Sequence, residues 1–138
     1  MPSTLDTTTR NDRASVLVTR LGANAIMRAY NGTKPASLGA VTSQTLMATL
    51  TFGTTVTAAN GGTAGGVSGG ALTFGGFTQT NSAHVPGTPT WVRLLQSGGT
   101  VIMDIDVGAG STNIQWPNPI VTNQNITGSL VLTEGNAA

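Results

Sequence analysis

Apolar and polar residues alternate along most of the chain after about residue 24. In the segment 45–52, Leu46 and Leu50 fall on one face of an extended chain, and Thr49 and Thr51 fall on the other. A side-chain period of two residues is typical of a β-strand with one buried face. The predicted strands are Ala25–Tyr30, Thr45–Phe52, Ala71–Phe77, Thr90–Gln96, Val101–Val107, Thr112–Trp116, Ile120–Asn123 and Ile126–Thr133.

Frequent turn signals separate these segments. Asn-Gly, Gly-Gly and Pro-Asn-Pro sequences recur between them, and each favours a reversal of the chain. Short strands at this spacing are typical of sandwiches and barrels. The pattern therefore predicts an all-β fold, a jelly-roll-like sandwich of about eight short strands with a short N-terminal helix.

One segment, Arg10–Leu21, has helical periodicity. Its apolar residues recur three or four positions apart, which places them on one face. Thr9 is the predicted N-cap, with Asp12 three positions later, and Gly22 is a natural stop. Residues 1–9 have no core-forming pattern, so we expect them to form an N-terminal arm before a single domain of residues 10–138.

Basic residues are concentrated on this predicted helix. Arg10, Arg13 and Arg20 are three of the six Lys and Arg residues of the chain. They form either an ordinary solvated face or part of an arm that docks on an acidic partner.

The segment 53–70 is rich in glycine and small residues. Such a composition cannot pack a core, and long loops in compact domains are either functional or mobile. The segment lacks the Gly-Lys-Ser/Thr ending of a phosphate-binding loop. We expect a loop that projects from the domain or contacts a partner.

The segment 90–108 predicts a β-hairpin. A two-residue turn at Gly98 and Gly99 sets the register, and directly opposed residues then share a face. A shift by one residue would break the pairing of Arg93 with Asp104 and bury a charge. The predicted pairs are Gln96–Val101, Leu95–Ile102, Leu94–Met103, Arg93–Asp104, Val92–Ile105 and Trp91–Asp106.

Asp104 and Asp106 are the most conspicuous candidates for chemistry. The hairpin register explains both without catalysis, because Asp104 has a cross-strand cation in Arg93 and Asp106 lies beside Trp91, diagonal to Arg93. Two carboxylates at this spacing could instead bind a hard cation, but calcium needs six to eight oxygen ligands. A catalytic pair of carboxylates is the third interpretation.

Few other residues could carry chemistry. His84, the sole histidine, cannot form a histidine-based metal site by itself. A Ser–His–Asp triad has members that meet only in the folded chain, but the GxSxG motif is absent. Trp91 is predicted to cover the polar face of the hairpin. Trp116, followed by Pro117, either closes the end of the barrel or anchors an interface.

Composition narrows the class of function. Only 8% of the 138 residues are charged and the net charge is +1, which is not the basic footprint that nucleic-acid binding requires. Such sparse charge favours association between copies. The absence of cysteine excludes disulfides and thiolate metal sites. The chain has no membrane-spanning apolar run and no signal-peptide core, so we expect synthesis in the cytoplasm and no membrane partner.

An ordered set of motifs adds a resemblance. They are TTTRN near the start, RAYNGTKPAS, LMATLTFG, PTWVRLLQSGGTVIMDIDVG and a threonine-rich last strand. In these the chain resembles a family of small virion structural proteins of tailed bacteriophages, encoded near the major capsid protein. Proteins of this kind include jelly-roll cement or decoration proteins that tie capsomers together on the outside of the head. The chain departs from them in its glycine-rich stretch and in QWPNP, and the shared motifs assign no functional residue.

The resemblance implies a capsid cement protein on the virion surface, without enzymatic activity or cofactor. Its expected partners are the major capsid protein and further copies of itself, as a dimer or trimer. The interface candidates are Arg10, Arg13, Trp116 and Pro117. The alternative is a tail or fibre component that binds a host-surface glycan through an aromatic platform made by Tyr30, Trp91 and Trp116. A hydrolase would need a polar cleft around His84 or the two aspartates.

Overall fold

A computed structural model describes residues 6–22, 24–51, 63–68, 71–79, 85–108, 114–115, 120–121 and 126–133 of the chain. Its elements are the helix α1 (Thr7–Leu21) and the strands β1 (Ile26–Asn31), β2 (Thr45–Thr51), β3 (Thr63–Ser68), β4 (Ala71–Gln79), β5 (Trp91–Leu95), β6 (Val101–Asp106), β7 (Ile114–Gln115) and β8 (Ile126–Thr133), with a short 3₁₀ turn at Ala36–Leu38. The predicted all-β class is confirmed.

The strands form two antiparallel sheets. The first sheet has the order β2-β1-β5-β6, and the second has the order β3-β4-β8-β7. An isolated bridge between Gly87 and Ile120 extends the backbone pairing outside these strands. Ile120 also packs into the core beneath the first sheet, so this bridge holds a core side chain in place.

The main core lies on one face of the first sheet, which we call the inner face. Alternation along the strands points one residue in two toward it, and the inner face is aliphatic. The exception is an irregularity in β2, where Met47 and Ala48 are both in the core, so Leu46 is on the opposite face from Leu50, contrary to the strand pattern in the sequence. Full burial of one valine, leucine, isoleucine or methionine side chain contributes about 1.5–3 kcal/mol to folding. The buried cluster consists of Leu21, Ala25, Met27, Ala29, Met47, Ala48, Leu50, Val92, Leu94, Ile105 and Ile120.

The helix starts three residues before the predicted Arg10, so the prediction of Thr9 as N-cap was wrong. The Thr9 amide donates to Asp6 Oδ1 at 3.1 Å, and the Thr9 hydroxyl donates to Asp6 Oδ2 at 2.6 Å. Asp6 therefore caps the helix, because its carboxylate accepts from an amide that has no partner within the first turn. Thr7, Thr8 and Thr9 belong to α1 rather than to an arm.

The other end of α1 agrees with the sequence pattern. Gly22 has a φ of 69°, a left-handed conformation that glycine adopts without steric cost and that ends a helix. Gln96 donates from Nε2 to the Arg20 carbonyl at 2.7 Å, which ties this helix end to the β5–β6 hairpin. Leu21 is 1% exposed, so the last turn also enters the core.

Two predicted segments differ from the structure. Strand β3 lies at Thr63–Ser68, within the stretch 53–70 that was predicted to be a loop, and that prediction was wrong for these six residues. Pairing with β4 uses backbone groups that glycine also carries, and a bulge between Ala64 and Gly66 accommodates the glycines. The predicted strand at 120–123 is reduced to a bridge at Ile120, with residues 122–123 outside the described ranges.

The β5–β6 hairpin keeps the predicted register with a different turn. The pairs Trp91–Asp106, Val92–Ile105, Arg93–Asp104 and Leu94–Met103 are confirmed, whereas Leu95 pairs with Val101 rather than with Ile102. The Gln96 amide donates to the Thr100 carbonyl and the Gly99 amide donates to the Gln96 carbonyl, both at 2.9 Å, which closes a three-residue loop at 97–99. The extra residue in the loop is offset by the bulge at Ile102.

This turn predicts opposite outcomes for two adjacent glycines. Gly99 has a φ of 93°, and an added Cβ would meet no atom within 4 Å at either Gly98 or Gly99. G99A should therefore lower the free energy of unfolding by about 1 kcal/mol through backbone strain alone. G98A should leave it unchanged or raise it by up to ~1 kcal/mol. Urea unfolding of G98A and G99A distinguishes this loop from a two-residue turn. In a two-residue turn with positive φ at Gly98 and at Gly99, each substitution would be destabilising.

The Asp6 cap predicts a pH dependence at the start of α1. Hydrogen bonds from Thr9 lower the pKa of Asp6 below its ordinary value. A carboxylate with a depressed pKa stabilises the fold above the unfolded pKa of about 3.9, and that stabilisation is lost as the pH falls through the folded pKa. The Thr9 amide resonance, followed by NMR from pH 6 to pH 2, should shift with a midpoint below that of an unfolded Asp.

The D6N variant is the control for this titration. Asparagine is also a good N-cap but does not titrate, so its Thr9 resonance should stay constant over the same pH range. A titration midpoint for wild-type Asp6 at or above the value of an unfolded Asp would contradict the cap.

Candidate functional site

The candidate site lies on the face of the first sheet opposite the core, which we call the outer face. The register of β1, β5 and β6 places Tyr30, Trp91 and Arg93 there, next to Asp104 and Asp106. This register brings Asp104 and Asp106 beside Arg93, the cation that was predicted to pair with Asp104. The site is therefore built on rigid strands rather than on loops.

Arg93 and Asp104 form a bidentate ion pair. Arg93 Nε donates to Asp104 Oδ1 and Arg93 Nη2 donates to Asp104 Oδ2, each at 2.7 Å. Their side chains are 7% and 4% exposed, so the pair is buried. The hydrogen bond to Asp104 raises the pKa of Arg93 above its ordinary value. The predicted Arg93–Asp104 pairing is confirmed.

The burial of this pair was not predicted from the hairpin pattern. Arg93 Nη2 also donates to the Gly39 carbonyl at 2.8 Å, and the 3₁₀ turn at Ala36–Leu38 lies next to β6. We call residues 32–44 the covering segment, because it lies over this part of the outer face. The hairpin pattern could not predict it, since the covering segment has no hydrophobic period of its own.

Side chains and backbone groups hold the covering segment at both ends. At its start, the Thr90 hydroxyl donates to the Gly32 carbonyl at 2.8 Å. At its end, Gln44 Nε2 donates to the Thr33 carbonyl at 2.7 Å, and Gln44 Oε1 accepts from the Thr42 amide at 2.9 Å. Because Gln44 joins two distant points of the segment, it closes the loop on itself.

Aromatic rings complete the buried layer of the outer face. The Tyr30 and Trp91 rings are stacked with centroids 4.5 Å apart, and the Arg93 guanidinium carbon lies 5.5 Å from the Trp91 ring centroid. Tyr30 is 5% exposed and Trp91 is 0% exposed. Stacking and cation–π contact add to the stabilisation from burial. Trp91 covers the polar face as predicted, but it is itself buried, and its Nε1 has no hydrogen-bond partner among the described residues.

Asp106 is the exposed member of the carboxylate pair. Lys34 Nζ donates to Asp106 Oδ2 at 3.0 Å, and the two side chains are 33% and 53% exposed. The predicted neighbour Trp91 is confirmed as its cross-strand partner. The sequence pattern did not predict Lys34 as the partner of Asp106, because Lys34 lies 72 positions from Asp106 along the chain, in a segment without a regular strand or helix pattern.

These contacts determine what the aspartates can do. Both oxygens of Asp104 accept from Arg93, so this carboxylate is not available to bind a metal ion or to accept a proton from a substrate. Among the described residues, no group of three or more His, Asp or Glu side chains is placed to hold a metal ion. The geometry makes the pair a structural element of the hairpin.

The structure describes two of the other predicted site residues. Arg10 and Arg13 are on α1, where Arg13 is exposed and is engaged in an interaction of its own. His84, Trp116 and Pro117 are outside the described residues. The interface role of Arg10, Arg13, Trp116 and Pro117 therefore stays a prediction.

Comparison with protein-family models, with curated proteins and with solved structures gives no match to this chain. No helix in the described part of the chain is long and apolar enough to cross a membrane.

The two aspartates predict a matched pair of stability effects. D104N leaves the buried Arg93 without a countercharge and should lower the free energy of unfolding by about 3 kcal/mol or more. D106N breaks an exposed pair and should change it by no more than ~1 kcal/mol. Urea unfolding curves for the two variants test the difference directly.

A double variant separates the cost of an unpaired charge from the value of the pair. R93M/D104L replaces both charges with apolar groups and should be less destabilising than D104N alone. Equal, small effects of D104N and D106N would show that the Arg93–Asp104 pair is not buried in solution.

Proposed function

We propose that this chain is a structural protein of a tailed-bacteriophage particle. Specifically, it is a capsid cement or decoration protein that binds the major capsid protein on the outside of the head. The proposal includes the finer fold assignment, a jelly-roll-like sandwich of about eight short strands. In this proposal the protein acts by binding, without a cofactor. Many copies in a symmetric array together give strong attachment to the head.

The observation that carries the proposal is that four of the five charged groups of the described outer face are used to hold the fold. Arg93 and Asp104 pair with each other in the interior, and Lys34 pairs with Asp106 at the edge of the same layer. What remains on the described surface is mainly small and polar. Such a surface fits a domain that works through area and shape rather than through reactive groups.

Isolated apolar side chains interrupt this polar surface. They lie on α1, in the covering segment, at the start of β2 and near the Gly87–Ile120 bridge. Apolar side chains scattered singly over a surface are ordinary in proteins, so these residues do not by themselves mark an interface. The most exposed are Val16 (61%), Val121 (48%), Leu38 (45%), Leu46 (44%) and Val85 (38%).

Burial of the aromatic residues favours this proposal over a glycan-binding tail component. An aromatic platform for a sugar needs exposed rings, and Tyr30 and Trp91 are 5% and 0% exposed. Two of the three aromatic residues that could form the platform are thus committed to the interior. The hydrolase hypothesis loses support for a similar reason, since Asp104 and Asp106 are both engaged in ion pairs.

Imaging of intact particles tests the proposal. Cryo-electron microscopy of virions with and without this protein should show difference density on the outer surface of the head in regular, repeated positions. Particles that lack the protein should also lose their DNA at a lower temperature, because the cement contacts are missing. Difference density confined to the tail would contradict the cement role, and the absence of the protein from purified virions would contradict the virion role altogether.

The N-terminal segment should contribute to this attachment. A variant that lacks residues 1–5 keeps the Asp6 cap and therefore the helix start, so its fold should be intact. It should bind particles that lack the protein more weakly than the full chain does in a co-sedimentation assay. Equal occupancy by the two chains would exclude the arm as a contact, and a purely monomeric mass by analytical ultracentrifugation would exclude self-association.

A further inference from the structure

Arg28 is a cation without a countercharge on the outer face. It lies in the middle of β1, and the register places it directly opposite Arg93 on β5 and opposite Thr49 on β2. Its side chain is half-buried. In the part of the chain that the structure describes, no hydrogen bond or ion pair engages it. Like charges directly opposed across strands destabilise a sheet, so this arrangement needs an explanation.

The carboxylates of the outer face are already taken. Asp104 gives both oxygens to Arg93, and Asp106 pairs with Lys34. The described outer face thus carries three cations against two carboxylates, and the unmatched charge is that of Arg28. Arg28 has no acidic neighbour within its own sheet.

The residues around Arg28 are apolar or weakly polar. Ile26 lies on the same face of β1 and is half-buried, as is Thr49 on β2. Leu46, which pairs with Tyr30 on this face, is 44% exposed. We call Ile26, Arg28, Leu46 and Thr49 the Arg28 patch. It presents one guanidinium group on a partly apolar surface.

We infer that the Arg28 patch is a docking surface for an acidic residue of a partner protein, an Asp or Glu flanked by apolar side chains. A guanidinium binds a carboxylate through two parallel hydrogen bonds, and partial burial makes that contact stronger than an exposed ion pair. The apolar flanks of the partner segment would cover Ile26 and Leu46. The inference goes beyond the proposed function, because it specifies the chemistry of a partner whatever particle the chain belongs to.

A different protein fits the patch better than a second copy does. Of the carboxylates in the described residues, Asp6 caps α1 and the two aspartates of β6 are in ion pairs. Another copy could offer Asp12 on the exposed helix α1, and Glu134, which lies outside the described residues. Neither has apolar residues beside it, since Asp12 lies between Asn11 and Arg13 and Glu134 lies between Thr133 and Gly135. An acidic residue with apolar flanks therefore points to a segment of a foreign chain.

A peptide pair tests the inference on the intact protein. The probe is acetyl-Ala-Ile-Glu-Ile-Ala-amide, and its matched control has Gln in place of Glu. Titration of ¹⁵N-labelled protein should shift the amide resonances of Ile26, Arg28 and Thr49 with the Glu peptide, and the Kd should be at least about fivefold higher for the Gln peptide. Equal binding of the two peptides, shifts confined to α1, or no shifts would overturn the inference.

Two protein variants complete the test. R28Q should raise the Kd of the Glu peptide at least about fivefold, whereas R20Q, which removes an exposed cation from α1, should change it less than about twofold. R28Q should unfold at the same or a higher temperature than wild type, because it removes a like-charge opposition. If R28Q abolished self-association in analytical ultracentrifugation and left peptide binding unchanged, the patch would be a contact between copies and the inference would be wrong.

Discussion

The buried ion pair between Arg93 and Asp104 is the interaction on which the rest of the first sheet depends. A charge in the protein interior is tolerated only when a countercharge and further hydrogen bonds satisfy it. Asp104 satisfies two donors of Arg93, and the Gly39 carbonyl satisfies another at 2.8 Å. The pair therefore specifies the register of the hairpin and at the same time attaches the covering segment to the sheet.

This attachment gives the first sheet two buried faces of different chemistry. The inner face is aliphatic, while the outer face has stacked aromatic rings and an ion pair beneath the covering segment. All five residues of β5 are buried as a result. Arg93 and Asp104 pair beneath the covering segment and Lys34 pairs with Asp106, so Arg28 is the unmatched charge of the described outer face. This is the basis for the docking surface inferred around it.

The sequence predicted the features that repeat along a strand and the C-terminal end of the helix. The opposition of Arg93 and Asp104 followed from alternation, and the helix stop at Gly22 followed from glycine's tolerance of positive φ. Side-chain alternation did not predict the bulge at Ile102. This bulge compensates for the third residue of the turn, so every later pair keeps its predicted face. The register was therefore right although the turn was wrong.

Features that depend on contacts between distant segments were missed. The covering segment has no periodicity, so neither the burial of the ion pair nor the role of Lys34 could be read from residue types. Strand β3 was missed because its side chains are small and its pairing uses the backbone. Asp6 was passed over because Thr9 is also a good capping residue, and only the geometry of the first turn distinguishes them.

Hydrogen exchange in an R93K variant tests most directly whether the ion pair attaches the covering segment. Lysine keeps the positive charge but cannot bridge Asp104 and Gly39 through a planar fork. We expect a selective loss of protection at the Gly39 amide, which donates to the Ala36 carbonyl, and at the Thr42 amide, which donates to Gln44 Oε1, with the backbone amides of β1 unchanged. Unchanged protection of the covering segment, or an equal loss across the whole sheet, would contradict this attachment.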